Sequence, residues 1–260
     1  MCIRDSFIFA TNRKKNRHTL NALYRCVVAQ ALELNPGYRV VLWATDGAAL
    51  RGVEALGPVT VVELNETALI ESLGPAHAPL IAWAKAGAER LSKPKDAIVD
   101  PKASPCFSTQ QLGNVLRLAI LSREGGIYSD LDVLPLAAHT EPPSRFLTRQ
   151  QGTAETHNNA VLSFRRNDPC IDAILAAITQ VLTTCVAERW GMVGPHLYTR
   201  LFGGGGDAAV QRACAGVDAR PSQAFAPVDF AETRDFARFN GRVAWRERDS
   251  PDHLSLPWVA

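Results

Sequence analysis

Asp130 and Asp132, one residue apart in the run Ile127-Tyr128-Ser129-Asp130-Leu131-Asp132, place two carboxylates close together among apolar neighbours. Hard cations such as Mg²⁺ or Mn²⁺ take oxygen ligands from one or two carboxylates and fill their remaining positions with phosphate oxygens and water. A cation held there could neutralise the negative charge that builds on a diphosphate as it leaves a carbon centre. An Asp-x-Asp triplet carries little weight alone, since about one arises by chance at this Asp content. An isolated pair is often a solvated loop, so the surrounding elements decide its meaning.

Those elements are ordered in a way that aims the pair into a pocket. Ser108 or Thr109 can cap a helix running to about Arg123, with Leu112, Val115, Leu116, Ala119 and Ile120 on its apolar side, and Gly125-Gly126 ends it. In the strand that follows, Ile127 to Leu136, alternation puts Tyr128, Asp130 and Asp132 on one face near the end. Upstream, Phe7 to Thr11 reads as a first strand and Thr19 to Leu34 as a helix stopped by Asn35-Pro36-Gly37. Arg39 to Ala44 and Val59 to Leu64 are β-branched runs suited to strands buried on both faces. Ala68 to Cys106 is less regular, and its second half reads as loop. Downstream, a strand is expected around Ala160 to Phe164, then a helix from Pro169 to about Cys185 capped by Asn167 or Asp168, then a turn and a helix within Trp190 to Phe202. Strands alternating with helices predict an α/β sandwich that binds ligands at the carboxyl ends of its strands.

Composition narrows the function classes. The 260 residues are 47% hydrophobic and 21% charged, with a formal net charge of +2, so a full core is available and no long-range field favours nucleic acid. No apolar run approaches the roughly 18 to 20 residues of a membrane span, and Met1 to Ser6 is neither signal peptide nor anchor. Because the first strand starts so early, an upstream stem or anchor could precede it. Six cysteines, at 2, 26, 106, 170, 185 and 214, lack C-x-x-C spacing and are read as small buried hydrophobes rather than zinc or redox motifs. A bridge from Cys170 to Cys185 is excluded by geometry, because about fifteen helical residues span about 22 Å. Gly203 to Gly206 lacks the Lys-Ser/Thr of a phosphate loop and reads as a turn.

The segment Leu116 to Leu136, with Arg117, Gly125-Gly126-Ile127-Tyr128 and Asp130-Leu131-Asp132, resembles the sugar-binding D-x-D region of GT-A glycosyltransferases of the α-1,4-galactosyl- and α-1,4-N-acetylglucosaminyltransferase group. Asn158 to Phe164, and Trp190-Gly191 through Gly194-Pro195-His196 to Arg200, resemble that branch's C-terminal portion. The likeness covers roughly residues 7 to 230. It implies a GT-A, Rossmann-like nucleotide-diphospho-sugar transferase fold as a single domain over 7–240. Residues 7–140 would bind the nucleotide sugar, 141–240 would form the acceptor side, and 241–260 would be a tail. It also implies an enzyme making α-linkages with retention from a UDP-sugar to a glycan or glycolipid, with Mn²⁺ or Mg²⁺ as cofactor.

Carried over residue by residue, Asp132 becomes the firmer metal ligand, and Asp130 contacts ribose or sugar and assists the metal. Arg117 contacts the donor sugar, Tyr128 flanks it, and relatives place a polar residue near the donor at Asn159. Read from position, the helix start at Gly194-Pro195 offers amides that favour phosphate, His196 there could approach the leaving group or metal, and Trp190 before Gly191 could stack on acceptor sugar. Each has a plainer alternative: a surface or macrodipole arginine, a core tyrosine, a turn asparagine, a core or turn tryptophan, an exposed helix histidine. One departure stands out, since the group has Asp where this chain has Asn114 in Gly113-Asn114-Val115-Leu116-Arg117. Asn114 hydrogen-bonds but carries no charge, which opens the alternatives of a mannosyl or glucosyl donor and of a carbohydrate-binding relative with weakened turnover. A front-side route, in which the departing phosphate helps deprotonate the acceptor, is preferred to a covalent nucleophile. Asn65-Glu66-Thr67 is a glycosylation acceptor triplet, compatible with a Golgi lumen but without meaning in a bacterial cytoplasm. The expectation leans to the cytoplasm, with the Golgi lumen if an anchor has been lost.

Overall fold

The computed structural model describes residues 4–9, 22–44, 52–92, 106–131, 133, 135, 138–139, 144–149, 156–185, 189, 191–203 and 206–221. Asp132 and Trp190, the proposed tail and the start of the first helix at Thr19 lie outside them. The chain runs β1 (Arg4–Phe9), α1 (Ala22–Leu34), β2 (Arg39–Ala44), β3 (Val59–Glu63), α2 (Glu66–Glu71), α3 (Ala78–Ser92), α4 (Thr109–Glu124) and β4 (Gly126–Asp130). It continues through β5 (Phe146–Arg149), β6 (His157–Phe164), α5 (Pro169–Thr184), α6 (Pro195–Phe202), α7 (Ala208–Ala213) and β7 (Asp218–Arg220).

One seven-stranded sheet orders them β3-β2-β1-β4-β6-β5-β7. The chain steps outward from β1 through β2 to β3, all parallel, then returns to place β4 parallel on the other flank of β1. That reversal makes a switch point between β1 and β4, and open α/β sheets bind ligands in the crevice beyond the strand ends at such a point. Ile8 is in register with Asp130, so the last residue of β4 stands at this crevice. β6 then runs antiparallel to β4, pairing Tyr128 with Leu162 and Ser129 with Val161.

β2 is buried on both faces, as its β-branched run predicts, whereas β3, at the sheet's edge, is not: it is largely exposed, with Val61 41% exposed, against the expectation for Val59 to Leu64. Val40, Leu42 and Ala44 pack with Val27, Val28 and Ala31 of α1. Val41 and Trp43 face the larger core, where Leu112, Val115, Leu116, Ala119 and Ile120 of α4 meet Ile171, Ile174, Leu175 and Ile178 of α5. The apolar stripe expected of α4 is therefore the stripe it buries.

Three further expectations are corrected. The loop expected for the second half of Ala68 to Cys106 is helical as far as Ser92, because α3 fills Ala78–Ser92 with Leu80, Trp83 and Ala84 buried at helical spacing and Pro79 harmless in the first turn; residues 93–105 lie outside the described residues. The strand carrying the carboxylates stops at Asp130, not Leu136, because the Val133 amide donates to the Asp130 carbonyl at 3.1 Å and closes a turn. The cysteines are not merely buried hydrophobes. Cys106 bonds to Cys185, and Cys170 to Cys214, while Cys26 is free and exposed. Cys170 and Cys185 do stand at opposite ends of α5, as the helical rise demands, and each finds its partner on another element. Spacing along the chain carries no trace of such pairings.

Candidate active site

The α4–β4 hairpin builds the charged part of the site from contiguous sequence. Ser108 caps α4, its hydroxyl accepting from the Gln111 amide at 3.3 Å. At the other end, Gly125 adopts φ +66°, and a Cβ there would lie 2.6 Å from the Arg166 backbone nitrogen. Only glycine therefore permits both the turn and the close passage of the chain after β6. The turn folds β4 back along α4, so Arg117, two turns before the helix end, comes level with Asp130.

Arg117 and Asp130 form a forked pair. The two guanidinium nitrogens lie 3.3 and 3.4 Å from the two carboxylate oxygens of Asp130. The same guanidinium donates to the Asn159 carbonyl at 2.6 Å and passes over the Tyr128 ring, 5.1 Å from its centroid. The Tyr128 hydroxyl donates to the same Asp130 carboxylate. With side-chain exposures of 13% for Arg117 and 28% for Asp130, this is a partly desolvated, charge-assisted cluster rather than a surface pair. The reading of Arg117 as a surface or macrodipole residue falls away. Tyr128 is both core residue and hydrogen-bond donor, 2% exposed with its hydroxyl at the carboxylate.

A second layer comes from the other half of the molecule. Asn159 on β6 donates from its side-chain amide to the Asn114 side-chain oxygen at 2.8 Å, and both residues are buried. Gly194, which precedes α6, packs against this pair: a Cβ there would lie 3.3 to 3.5 Å from the Asn114 and Asn159 side chains. Gly194 therefore lets the start of α6 press on the amide pair that flanks Arg117. Tyr198, one turn further on, is fully buried with no hydrogen-bond partner for its hydroxyl among the described residues. Burial pushes its pKa well above the ordinary phenol value, and the nearby Arg117 charge opposes that rise. Sequence reasoning missed Tyr198; its only signal was a position one turn inside a helix that starts at Gly194-Pro195. His196 stays outside the cluster, exposed, with its ring near Gly191.

Of the two carboxylates expected to hold a hard cation, Asp130 lies among the described residues. One Asp130 oxygen already faces Tyr128 and one Arg117 nitrogen, and the other faces the second nitrogen, so Asp130 has little capacity left for a metal. It serves better as an anchored acceptor. Among the described residues, no three His, Cys, Asp or Glu side chains gather as a metal cluster.

Comparison with known proteins bears on the fold and on the family likeness. Residues 22–145 match the family described as "Glycosyltransferase sugar-binding region containing DXD motif". The lactosylceramide 4-alpha-galactosyltransferase of Pongo pygmaeus is 29% identical over 130 residues, 48% of this chain and 56% of that protein. The enzyme of the same name from Rattus norvegicus is 26% identical over 226 residues, 82% of this chain and 56% of that protein. The chain thus spans little more than half the length of these relatives. Among solved structures, the PaToxG glycosyltransferase superposes with a TM-score of 0.54 at 15% identity, covering 91% of this chain and 84% of that one, which speaks to the fold. The fold is that of GT-A glycosyltransferases. Residues 22–145, a little under half of the chain, are similar to the glycosyltransferase sugar-binding region that contains the DXD motif.

Proposed function

We propose that this chain transfers a hexose or N-acetylhexosamine from a UDP-sugar to a hydroxyl of a glycan or glycolipid, with retention and with a divalent ion. The observation that carries this reading is the Arg117–Tyr128–Asp130 cluster, in which Tyr128 and Arg117 fix a carboxylate beside a guanidinium at the sheet's switch point, where a ligand of this fold would lie. When bound, Mn²⁺ or Mg²⁺ supplies positive charge to the diphosphate, with Asp132 its main protein ligand and Asp130 an assistant. The bond from the anomeric carbon to the β-phosphate oxygen breaks, UDP keeps the electron pair, and the acceptor oxygen bonds to the same carbon. The acceptor proton passes to the departing phosphate. Arg117 faces the donor, where preorganised charge stabilises the transition state at no cost of reorganisation.

The neutral Asn114–Asn159 pair supports a second reading, a carbohydrate-binding relative with weak turnover. Turnover separates the two. Incubating the chain with Mn²⁺ and a panel of UDP-galactose, UDP-N-acetylglucosamine, UDP-glucose and GDP-mannose should release nucleotide diphosphate from a UDP-sugar above the no-enzyme rate. Binding of donor without any release would favour the second reading.

The two disulfides bear on compartment. Structural disulfides persist in oxidising environments and are rare in the cytosol, so Cys106–Cys185 and Cys170–Cys214 favour an oxidising lumen or exterior over the cytoplasm expected from sequence. Among the described residues, no helix is long and apolar enough to cross a membrane.

A further inference from the structure

We propose that Asn65 is a site of N-linked glycosylation. Asn65-Glu66-Thr67 is the one Asn-X-Ser/Thr triplet in the 260 residues, and its middle residue is not proline. It falls between β3 and α2, where Asn65 is exposed and in extended conformation, with φ −84° and ψ 100°. Its side chain caps α2 through the oxygen alone, accepting from the Ala68 amide at 3.0 Å. The amide nitrogen, the atom that carries the modification, is left out of that bond.

Surroundings and compartment point the same way. Asn65 forms part of the wall of an open groove of about 350 Å³, together with Trp43, Thr60, Val62 and Leu69, which leaves room for a proximal sugar. Three strand spacings separate β3 from β4, roughly 14 Å, so the attachment atom on Asn65 is not part of the Arg117–Asp130 cluster. The disulfides supply the independent argument, because an oxidising secretory lumen is also where lipid-linked oligosaccharides are transferred to asparagine. To that extent the proposal rests on the compartment reading above.

In the transfer, the Asn65 amide nitrogen bonds to the anomeric carbon of an oligosaccharide carried on a polyprenyl diphosphate. The bond from that carbon to the phosphate oxygen breaks, the lipid diphosphate leaves with the electron pair, and one amide proton is lost to the transferring enzyme. The product keeps one N–H and the whole carbonyl oxygen, so α2 retains its cap.

The test is translation of the full chain behind a cleavable secretion leader in the presence of microsomes, followed by electrophoresis with and without peptide:N-glycosidase. Transfer acts on the chain as it enters the lumen, so a product that fails to fold still reports. The expected result is a single upward shift, reversed by the glycosidase and lost in both Asn65→Gln and Thr67→Ala. Thr67→Ala keeps the capping side chain and so separates loss of the acceptor triplet from loss of the cap. A translocated, protease-protected chain with unmodified Asn65 overturns the proposal. Thiol alkylation of the same sample reads the disulfides separately, so failure of the compartment reading and failure of the glycan assignment give different results.

Discussion

The α4–β4 hairpin and the half of the molecule from β5 to β7 reach the same site by opposite means. The hairpin is contiguous: a capped helix, a glycine turn and a short strand bring Arg117, Tyr128 and Asp130 together within fourteen residues of one another. The other half contributes Asn159, Gly194 and Tyr198 from separate elements, and two disulfides pin both ends of α5 between them. A buried cap supports this half as well. Asp168 accepts from the Cys170 amide and from Arg145, both at 2.9 Å. Charge thus comes from local sequence, whereas the wall that positions it comes from cross-linked, non-local packing.

The comparison breaks most sharply at Arg117. Arg117→Ala removes the fork to Asp130 and the bond to the Asn159 carbonyl, so kcat/KM for the UDP-sugar should fall about 10²- to 10³-fold, read by steady-state kinetics. Arg117→Lys should not restore it, since an ammonium keeps the charge but cannot present two parallel donors. On the other side, the double substitution Cys170→Ser with Cys214→Ser should lower stability by about 2–4 kcal/mol, seen as an earlier denaturant midpoint. If the halves differ as described, Arg117→Ala leaves that midpoint far less affected.

Smaller changes sharpen the picture. Tyr128→Phe deletes a hydrogen bond to a carboxylate, a contribution of about 1.5–3 kcal/mol, and should weaken donor binding by an order of magnitude while the fold persists. Tyr198→Phe removes a buried hydroxyl without a described partner and should be close to neutral for stability at pH 7. Its effect belongs at alkaline pH. The folded pKa of Tyr198 is raised above the unfolded value, so its contribution is fully present below the ordinary phenol pKa and is lost as pH climbs beyond it. The phenylalanine variant should lose less stability above about pH 10 than the parent, measured by denaturation across that range.

What could be read in advance follows the same division. The cap at Ser108, the apolar stripe of α4, the turn at Gly125-Gly126 and the alternation of Tyr128 with Asp130 are local patterns, and each is present in the fold. Asn159 was named only through a family resemblance and Gly194 only as a helix start, because nothing local says that β6 and the start of α6 meet α4. Both disulfides escaped notice for the same reason, as did Tyr198. The end of α3 was different in kind: scattered proline and lysine suggested that the second half of Ala68 to Cys106 is loop, yet a helix that buries Leu80, Trp83 and Ala84 in its first turns runs on to Ser92.

The most direct test of the donor-site assignment is calorimetric titration of UDP, with GDP as control, at fixed Mn²⁺ and again with chelator, on the parent chain and on Asp132→Ala. The account predicts UDP binding that requires Mn²⁺ and disappears in the variant. Binding that ignores the chelator and survives Asp132→Ala would contradict it.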